Sequence, residues 1–136
     1  MSANCLGLDV GQKRIGIAIS HIDSTMALPL KTISNNDKII QEIISIVTQK
    51  KITKIIVGLP INPSQYSQKQ TEYIHDWVKE IKKKIKCEWI FYDERYSTIQ
   101  ASQLLHQAGL NTKKQKKVID AQAAAVILQG FLDATV

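Results

Sequence analysis

The chain has 136 residues, 44% of them hydrophobic, and its 18 basic and 12 acidic residues give a net charge of +6. These values are typical of one globular domain covering residues 1–136 and argue against a second domain. A membrane span needs roughly 20 apolar residues in a row, and no apolar stretch approaches that length, which argues against a membrane protein. The N-terminal residues lack the pattern of a signal peptide, so we expect a cytoplasmic location. The positive charge favours nucleic acid as a partner, although a solvated Lys-rich surface would give the same value.

The first half of the chain predicts three strands, a helix and a buried strand. Apolar residues alternate over 6–20 and indicate a hairpin. Residues 26–33 predict an edge strand, because Pro29 cannot donate a hydrogen bond to a ladder. Ile and Val at helical spacing predict a helix over 37–50. Residues 54–59 are uniformly apolar, which is typical of a strand buried on both faces.

The second half predicts three helices and one strand. Helical spacing indicates a helix over 67–85, and 87–92 reads as the fifth strand. A capping pattern predicts a helix over 97–109, and Thr112 caps a last helix that runs through 118–132. The order β-β-β-α-β-α-β-α-α predicts a mixed sheet in which three antiparallel strands are followed by two parallel ones.

The two cysteines, Cys5 and Cys87, lie far apart in apolar segments and form no CxxC motif. This spacing suggests neither a zinc site nor a disulfide framework. We therefore expect both to be small core residues.

Small residues surround the first acid of the hairpin. Gly7 and Gly11 flank Asp9 at a spacing of two, and Gly16 and Ala18 lie in the second arm. Because these residues offer little bulk, we expect little side-chain screening of the Asp9 carboxylate.

Three acids are predicted to meet at one edge of the sheet. Asp9 ends the first strand and Glu94 directly follows the fifth, and the carboxyl ends of parallel strands meet at one edge. Asp120 lies on the last helix. The residues three, four and seven positions after Asp120 are small or apolar and form a face that can approach the sheet. Each acid also has a purely structural explanation. Asp9 could bond the backbone of the next turn, and Glu94 could pair with Arg95 or help to cap the next helix. Asp120 could be a charge near a helix start, where the helix dipole favours an acid. Together, the carboxylates would form the all-oxygen site that Mg²⁺ prefers.

The sequence resembles, in four segments taken in order, the motifs of the YqgF family of ribonuclease H-like proteins: DVGQKRIGIA, VGLP, DERYST and KVIDAQAAAVIL. This family is described both as Holliday junction resolvases and as pre-16S rRNA nucleases. The resemblance covers nearly the whole chain and implies a ribonuclease H-like α/β fold, with a mixed five-stranded sheet flanked by helices and with Asp9, Glu94 and Asp120 as the catalytic set. The segment 61–70 departs from the family, whose members usually carry an acidic residue and a Gly there.

The acids and the resemblance together predict a metal-dependent endonuclease that processes the 5′ end of pre-16S rRNA in ribosome biogenesis. Two Mg²⁺ ions, or Mn²⁺ in their place, would be held by the three acids for phosphodiester hydrolysis. We expect structured RNA or branched DNA as the substrate, a pre-ribosomal particle as a further partner, and a monomer or weak dimer. Basic and hydroxyl side chains are expected to hold the nucleic acid: Arg14, Arg95, Ser97, Thr98, Lys113, Lys114, Lys116 and Lys117.

Three other functions stay open at this point. A Holliday junction resolvase would use the same acids on branched DNA. A non-catalytic nucleic-acid-binding regulator on the same fold would bind without cutting. An actin-like or sugar-kinase-like phosphotransferase would explain the strand-turn-strand segment DVGQKRIG as a phosphate loop, but such enzymes enclose nucleotide between two domains and this chain predicts one.

Overall fold

The computed structural model describes residues 4–21, 24–59, 65–93 and 112–134. Five strands form one sheet in the order β3-β2-β1-β4-β5. The first three pair antiparallel, whereas β4 runs parallel to β1 and β5 parallel to β4, which confirms the predicted mixed sheet. The described elements, in chain order, are β1 (Asn4–Val10), β2 (Arg14–Ser20), β3 (Leu28–Ser34), α1 (Ile39–Lys50), β4 (Ile52–Leu59), α2 (Gln65–Ile81), β5 (Glu88–Asp93) and α3 (Thr112–Ala134).

The helices differ from the sequence prediction mainly at their ends. α2 begins at Gln65, inside the segment that departs from the family pattern, and ends at Ile81, four residues before the predicted end. It ends there because three exposed lysines form a turn and Ile85, only 3% exposed, returns to the core. The helix predicted over 97–109 lies outside the described residues. Among the described helices, none combines the length and apolarity that crossing a membrane requires.

The sheet has a helical layer on each face. Leu6 and Leu8 of β1 pack among residues of α1 and α2, whereas Cys5 packs among residues of α3. This follows from the alternation of side chains along a strand. In β4, Ile55 packs on the first face and Ile56 on the second, and both are fully buried. The predicted burial of this strand on both faces is therefore confirmed, as is the edge position of β3.

α3 lies very close to β1 and β2 because glycines beneath it leave room for its backbone. A Cβ on Gly7 would lie 2.8 Å from the carbonyl oxygen of Ala124. A Cβ on Gly16 would overlap the carbonyl group of Asp120. The apolar face predicted for this helix is confirmed, because all three of its residues are fully buried: Ala123, Ala124 and Ile127.

Both cysteines are free thiols within the described part of the chain. Cys5 is buried in the core, as predicted, whereas Cys87 is half-buried and its Sγ lies 3.6 Å from the carbonyl oxygen of Ile52. Burial raises the pKa of the Cys5 thiol, although nearby Lys54 opposes the shift, and burial also raises the pKa of Cys87. Both thiols are therefore protonated at neutral pH.

Candidate active site

The carboxyl ends of the three parallel strands align at one edge of the sheet. Leu8 of β1 pairs with Val57 of β4, and Leu59 of β4 pairs with Asp93 of β5. Asp9, the residue after Leu8, therefore lies at the edge at which β4 and β5 also end. In open α/β sheets this edge is where functional sites form.

Asp9 projects towards α3. Its cross-strand partner in the hairpin is Gly16, and directly opposed residues of an antiparallel pair carry their side chains on the same face. The space above Gly16 is filled by the backbone of Asp120, so this face is the one that α3 covers. The structure thus places Asp9 and Asp120 on the same face of the sheet, both next to Gly16.

The glycines around Asp9 have a different role from the expected one. Asp9 is half-buried, because the backbone of α3 occupies the space over Gly7 and Gly16 that small residues were expected to leave open. Gly11 serves the turn between β1 and β2: its N–H donates to the carbonyl oxygen of Arg14 at 2.9 Å, and a Cβ would lie 2.7 Å from the same oxygen. The carboxylate is consequently positioned beside a helix rather than left bare.

Arg14 forms an ion pair with Asp120. The guanidinium Nε donates to Oδ2 at 2.7 Å, and the two side chains are 37% and 21% exposed. Arg14 lies two residues before Gly16 on β2, which places it on the same face of the sheet. The sequence predicts a phosphate-binding role for Arg14; the structure instead places its guanidinium on one of the predicted metal ligands. The binding role stays a prediction.

Side chains from other elements hold the turn between β1 and β2. Asn35, directly after β3, donates from Nδ2 to the carbonyl oxygen of Gly11 and to the hydroxyl of Tyr73, each at 2.8 Å. From α2, Gln70 donates from Nε2 to the carbonyl oxygen of Val10 at 3.2 Å. These bonds tie the segment after Asp9 to the α1 and α2 layer. No sequence pattern marks them, because their partners lie 24 to 60 residues apart.

The described donor set fits a hard cation only in part. Asp9 and Asp120 offer the carboxylate oxygens that Mg²⁺ prefers. No group of three His, Cys, Asp or Glu side chains within the described ranges is arranged to hold a metal. The third predicted ligand, Glu94, is among the residues that the structure leaves undescribed.

Most of the predicted nucleic-acid-binding residues also lie beyond what the structure describes. Arg95, Ser97 and Thr98 fall between 93 and 112, outside the described ranges. The lysine cluster lies on the first two turns of α3, on the N-terminal side of Asp120, and its side chains are outside the described part: Lys113, Lys114, Lys116 and Lys117. The roles of all these residues stay predictions.

The chain is similar to one family of known proteins over almost its entire length. A family model described as "RuvX: Holliday junction resolvase" matches residues 3–134. Three similar relatives are each named "Putative pre-16S rRNA nuclease". The relative from Clostridioides difficile is 38% identical over 135 residues, covering 98% of this chain and 96% of the relative. The relative from Bacillus thuringiensis is 40% identical, covering 94% of this chain and 96% of the relative. The relative from Chloroflexus aurantiacus is 36% identical, covering 95% of this chain and 86% of the relative.

Two solved structures share the fold at low sequence identity. One is T. thermophilus RuvC in complex with Holliday junction substrate, with a TM-score of 0.59 and 13% identity, covering 98% of this chain and 95% of that one. The other is the fowlpox virus resolvase with Holliday junction DNA, with a TM-score of 0.58 and 12% identity, covering 98% and 99%. These neighbours confirm the ribonuclease H-like fold. With the family match and relatives at 36–40% identity, the chain belongs to the RuvX family, the same family as the YqgF proteins that its motifs resemble.

Proposed function

We propose that this chain is a Mg²⁺-dependent nuclease that hydrolyses phosphodiester bonds in pre-16S ribosomal RNA. The observation that carries the proposal is that Asp9 and Asp120 both lie next to Gly16 on the α3 face, at the edge where the parallel strands end. Paired carboxylates at such an edge suit metal-assisted hydrolysis of a phosphate ester. The names of the relatives supply the substrate class.

Asp9 and Asp120, with Glu94 as the third ligand, would hold Mg²⁺ or Mn²⁺. When bound, the metal supplies a water of lowered pKa and neutralises charge on the phosphate. The residues of the chain fix where this happens. Gly16 lets α3 approach β2 so that Asp120 lies near Asp9, and the bond from Arg14 orients the Asp120 carboxylate.

In this proposal Arg14 can bind either the Asp120 carboxylate or a phosphate of the RNA. Its guanidinium neutralises Asp120 at 2.7 Å, and at 37% exposure it can also reach a phosphate from the solvent side. Arg14 would therefore hold the Asp120 carboxylate in competition with a bound metal ion. Release of the guanidinium would free it to bind the RNA backbone.

We expect Arg14→Gln to affect metal and RNA in opposite directions. Without the competing cation, the affinity for Mg²⁺ should rise by about two- to fivefold, the range for one partly exposed charge pair, while RNA binding measured in EDTA should weaken. Calorimetry with Mg²⁺ alone and filter binding with RNA alone measure the two effects. Lys13→Gln, an exposed neighbour with the same charge change, is the control. If the two variants behave alike, the ion pair has no part in the site.

We expect replacement of the lysine cluster by Gln to weaken RNA binding and its salt dependence. Positive charge beside the acids is needed because the carboxylates alone would repel the substrate. The slope of log affinity against log salt should become shallower by about 0.7 to 0.9 for each phosphate that the variant no longer neutralises. A matched control removes four exposed lysines that follow α2: Lys82, Lys83, Lys84 and Lys86. Equal slopes in the two quadruple variants would contradict a specific role for the α3 cluster.

The setting of the reaction is a further part of the proposal. The relatives' name refers to a precursor of ribosomal RNA, so we propose that the substrate is presented within a pre-ribosomal particle in the cytoplasm. The net charge of +6 suits an approach to such an RNA-rich surface. We propose that the protein works there as a monomer or weak dimer.

Parallel cleavage assays test the proposed function. Purified protein with Mg²⁺ is incubated with a labelled pre-16S rRNA fragment and with a labelled four-way DNA junction, each with an EDTA control. We expect site-specific cleavage of the RNA only, abolished by EDTA. Cleavage of the junction alone would make the chain a resolvase, as the description of the family model suggests. Binding to both without cleavage would make it a non-catalytic regulator.

A further inference from the structure

A surface groove opens between the start of α1 and the exposed side of α2, on the face of the sheet opposite α3. Its volume is about 490 Å³. The floor is apolar and includes Ile40, Tyr73 and Trp77, which are all half-buried. Trp77 and Tyr73 lie one helical turn apart on α2, so their rings share the same side of the helix. The groove is large enough to take one or two bulky side chains from another molecule.

The rim of this groove is acidic although the chain as a whole is basic. Asp37, Asp76 and Glu80 are exposed on the rim, and none of the described lining residues is basic. Glu80 pairs with Lys83 at 3.5 Å, whereas Asp37 and Asp76 take part in no ion pair among the residues that the structure describes. Such a rim repels a polynucleotide, so the groove is not part of the RNA-binding surface proposed above.

We infer that this groove is the docking site for a basic, amphipathic segment of a partner protein. An apolar side chain of that segment fits over Trp77 and Tyr73, and its Lys or Arg side chains face Asp37 and Asp76. The aromatic rings of the floor attract both apolar groups and cations, and the acidic rim attracts cations. The floor and the rim therefore favour the same occupant. The inference rests on the groove itself and is independent of the nuclease activity.

The groove lies on the opposite face of the sheet from the candidate active site, but the two share one residue network. Asn35 and Tyr73 line the groove, and Asn35 also donates to the carbonyl oxygen of Gly11 in the turn after Asp9. The docked segment therefore contacts side chains that hold this turn, while the α3 face stays open for RNA.

Peptide titrations of the full chain test the inference. The probe is a fluorescein-labelled peptide of about 12 residues built from Lys and Leu at helical spacing. Two matched peptides replace every Lys by Glu, or every Leu by Ser. Anisotropy gives the affinity, and ¹H–¹⁵N spectra locate the binding site. We expect the Lys/Leu peptide to bind at least about fivefold more tightly than either matched peptide, with spectral changes at the start of α1 and along α2.

A pair of double variants separates the groove from bulk charge. Asp37→Asn with Asp76→Asn should weaken binding of the Lys/Leu peptide about five- to tenfold. Glu72→Gln with Glu88→Gln changes the charge equally at exposed positions outside the groove and should leave the affinity unchanged. The inference is overturned if both double variants weaken binding equally, if the Glu/Leu peptide binds as well, if no peptide binds, or if the spectral changes cluster around Asp9 instead.

Discussion

Asp9→Asn is expected to lower Mg²⁺-dependent RNA cleavage at least about 100-fold. Removing a hydrogen-bond partner of a metal ligand lowers metal affinity or activity by about 10- to 100-fold. Removing the charge of the ligand itself should lower activity by at least as much. The amide keeps the volume of the half-buried carboxylate beside α3, and the free energy of unfolding should change by less than about 1 kcal/mol. Single-turnover cleavage and urea unfolding measure the two quantities.

A matched variant and a binding measurement make this result specific. Asp133→Asn is the same change at an exposed position of α3, where the carboxylate accepts a hydrogen bond from Gln129, and it should retain full activity. RNA binding by Asp9→Asn in EDTA should be equal or slightly tighter, since one charge that repels phosphate is gone. Cleavage at the wild-type rate would remove Asp9 from the catalytic set. Loss of RNA binding would assign the acid to substrate binding instead.

The architecture was predictable because strand periodicity and chain order carry it. Alternation in β1 separates Leu6 and Leu8 from Cys5 and Asp9, and the structure places these two sets on opposite faces. The uniformly apolar β4 is buried on both faces for the same reason. Right-handed crossovers then leave few ways to arrange the remaining strands, so the edge at which Asp9 lies also followed from the sequence.

The details of the site were not predictable, because they depend on how closely α3 approaches the sheet. A glycine in a strand leaves space that either solvent or another backbone can fill, and nothing local to Gly16 distinguishes these outcomes. The structure fills the space with the backbone of Asp120. The Arg14–Asp120 pair follows from that approach and joins residues 106 positions apart, so no motif spacing could reveal it.

Gly16→Ala should have the second large effect, this time on folding. The added Cβ would overlap the carbonyl group of Asp120 and lie 2.9 Å from the backbone nitrogen of Ala121. Backbone atoms cannot rotate aside, so α3 must shift as a whole, and its close packing over Gly7 resists the shift. We expect a loss of about 3 kcal/mol or more in the free energy of unfolding, at the upper end for overpacked cores.

Gly130→Ala, on α3 itself, is the control, because there the three atoms nearest to the added Cβ all belong to the Tyr92 side chain, with its hydroxyl at 2.8 Å. The end of that side chain can move, and alanine is the better helix former by about 1 kcal/mol, so the net change should stay below about 1 kcal/mol. Urea unfolding compares the two variants. In any folded Gly16→Ala protein, displacement of α3 should also carry Asp120 away from Asp9, so Mg²⁺-dependent cleavage should fall while Gly130→Ala keeps it. If Gly16→Ala were as stable and as active as the wild type, α3 could not lie on β2 at this point, and Asp120 would lose its place beside Asp9.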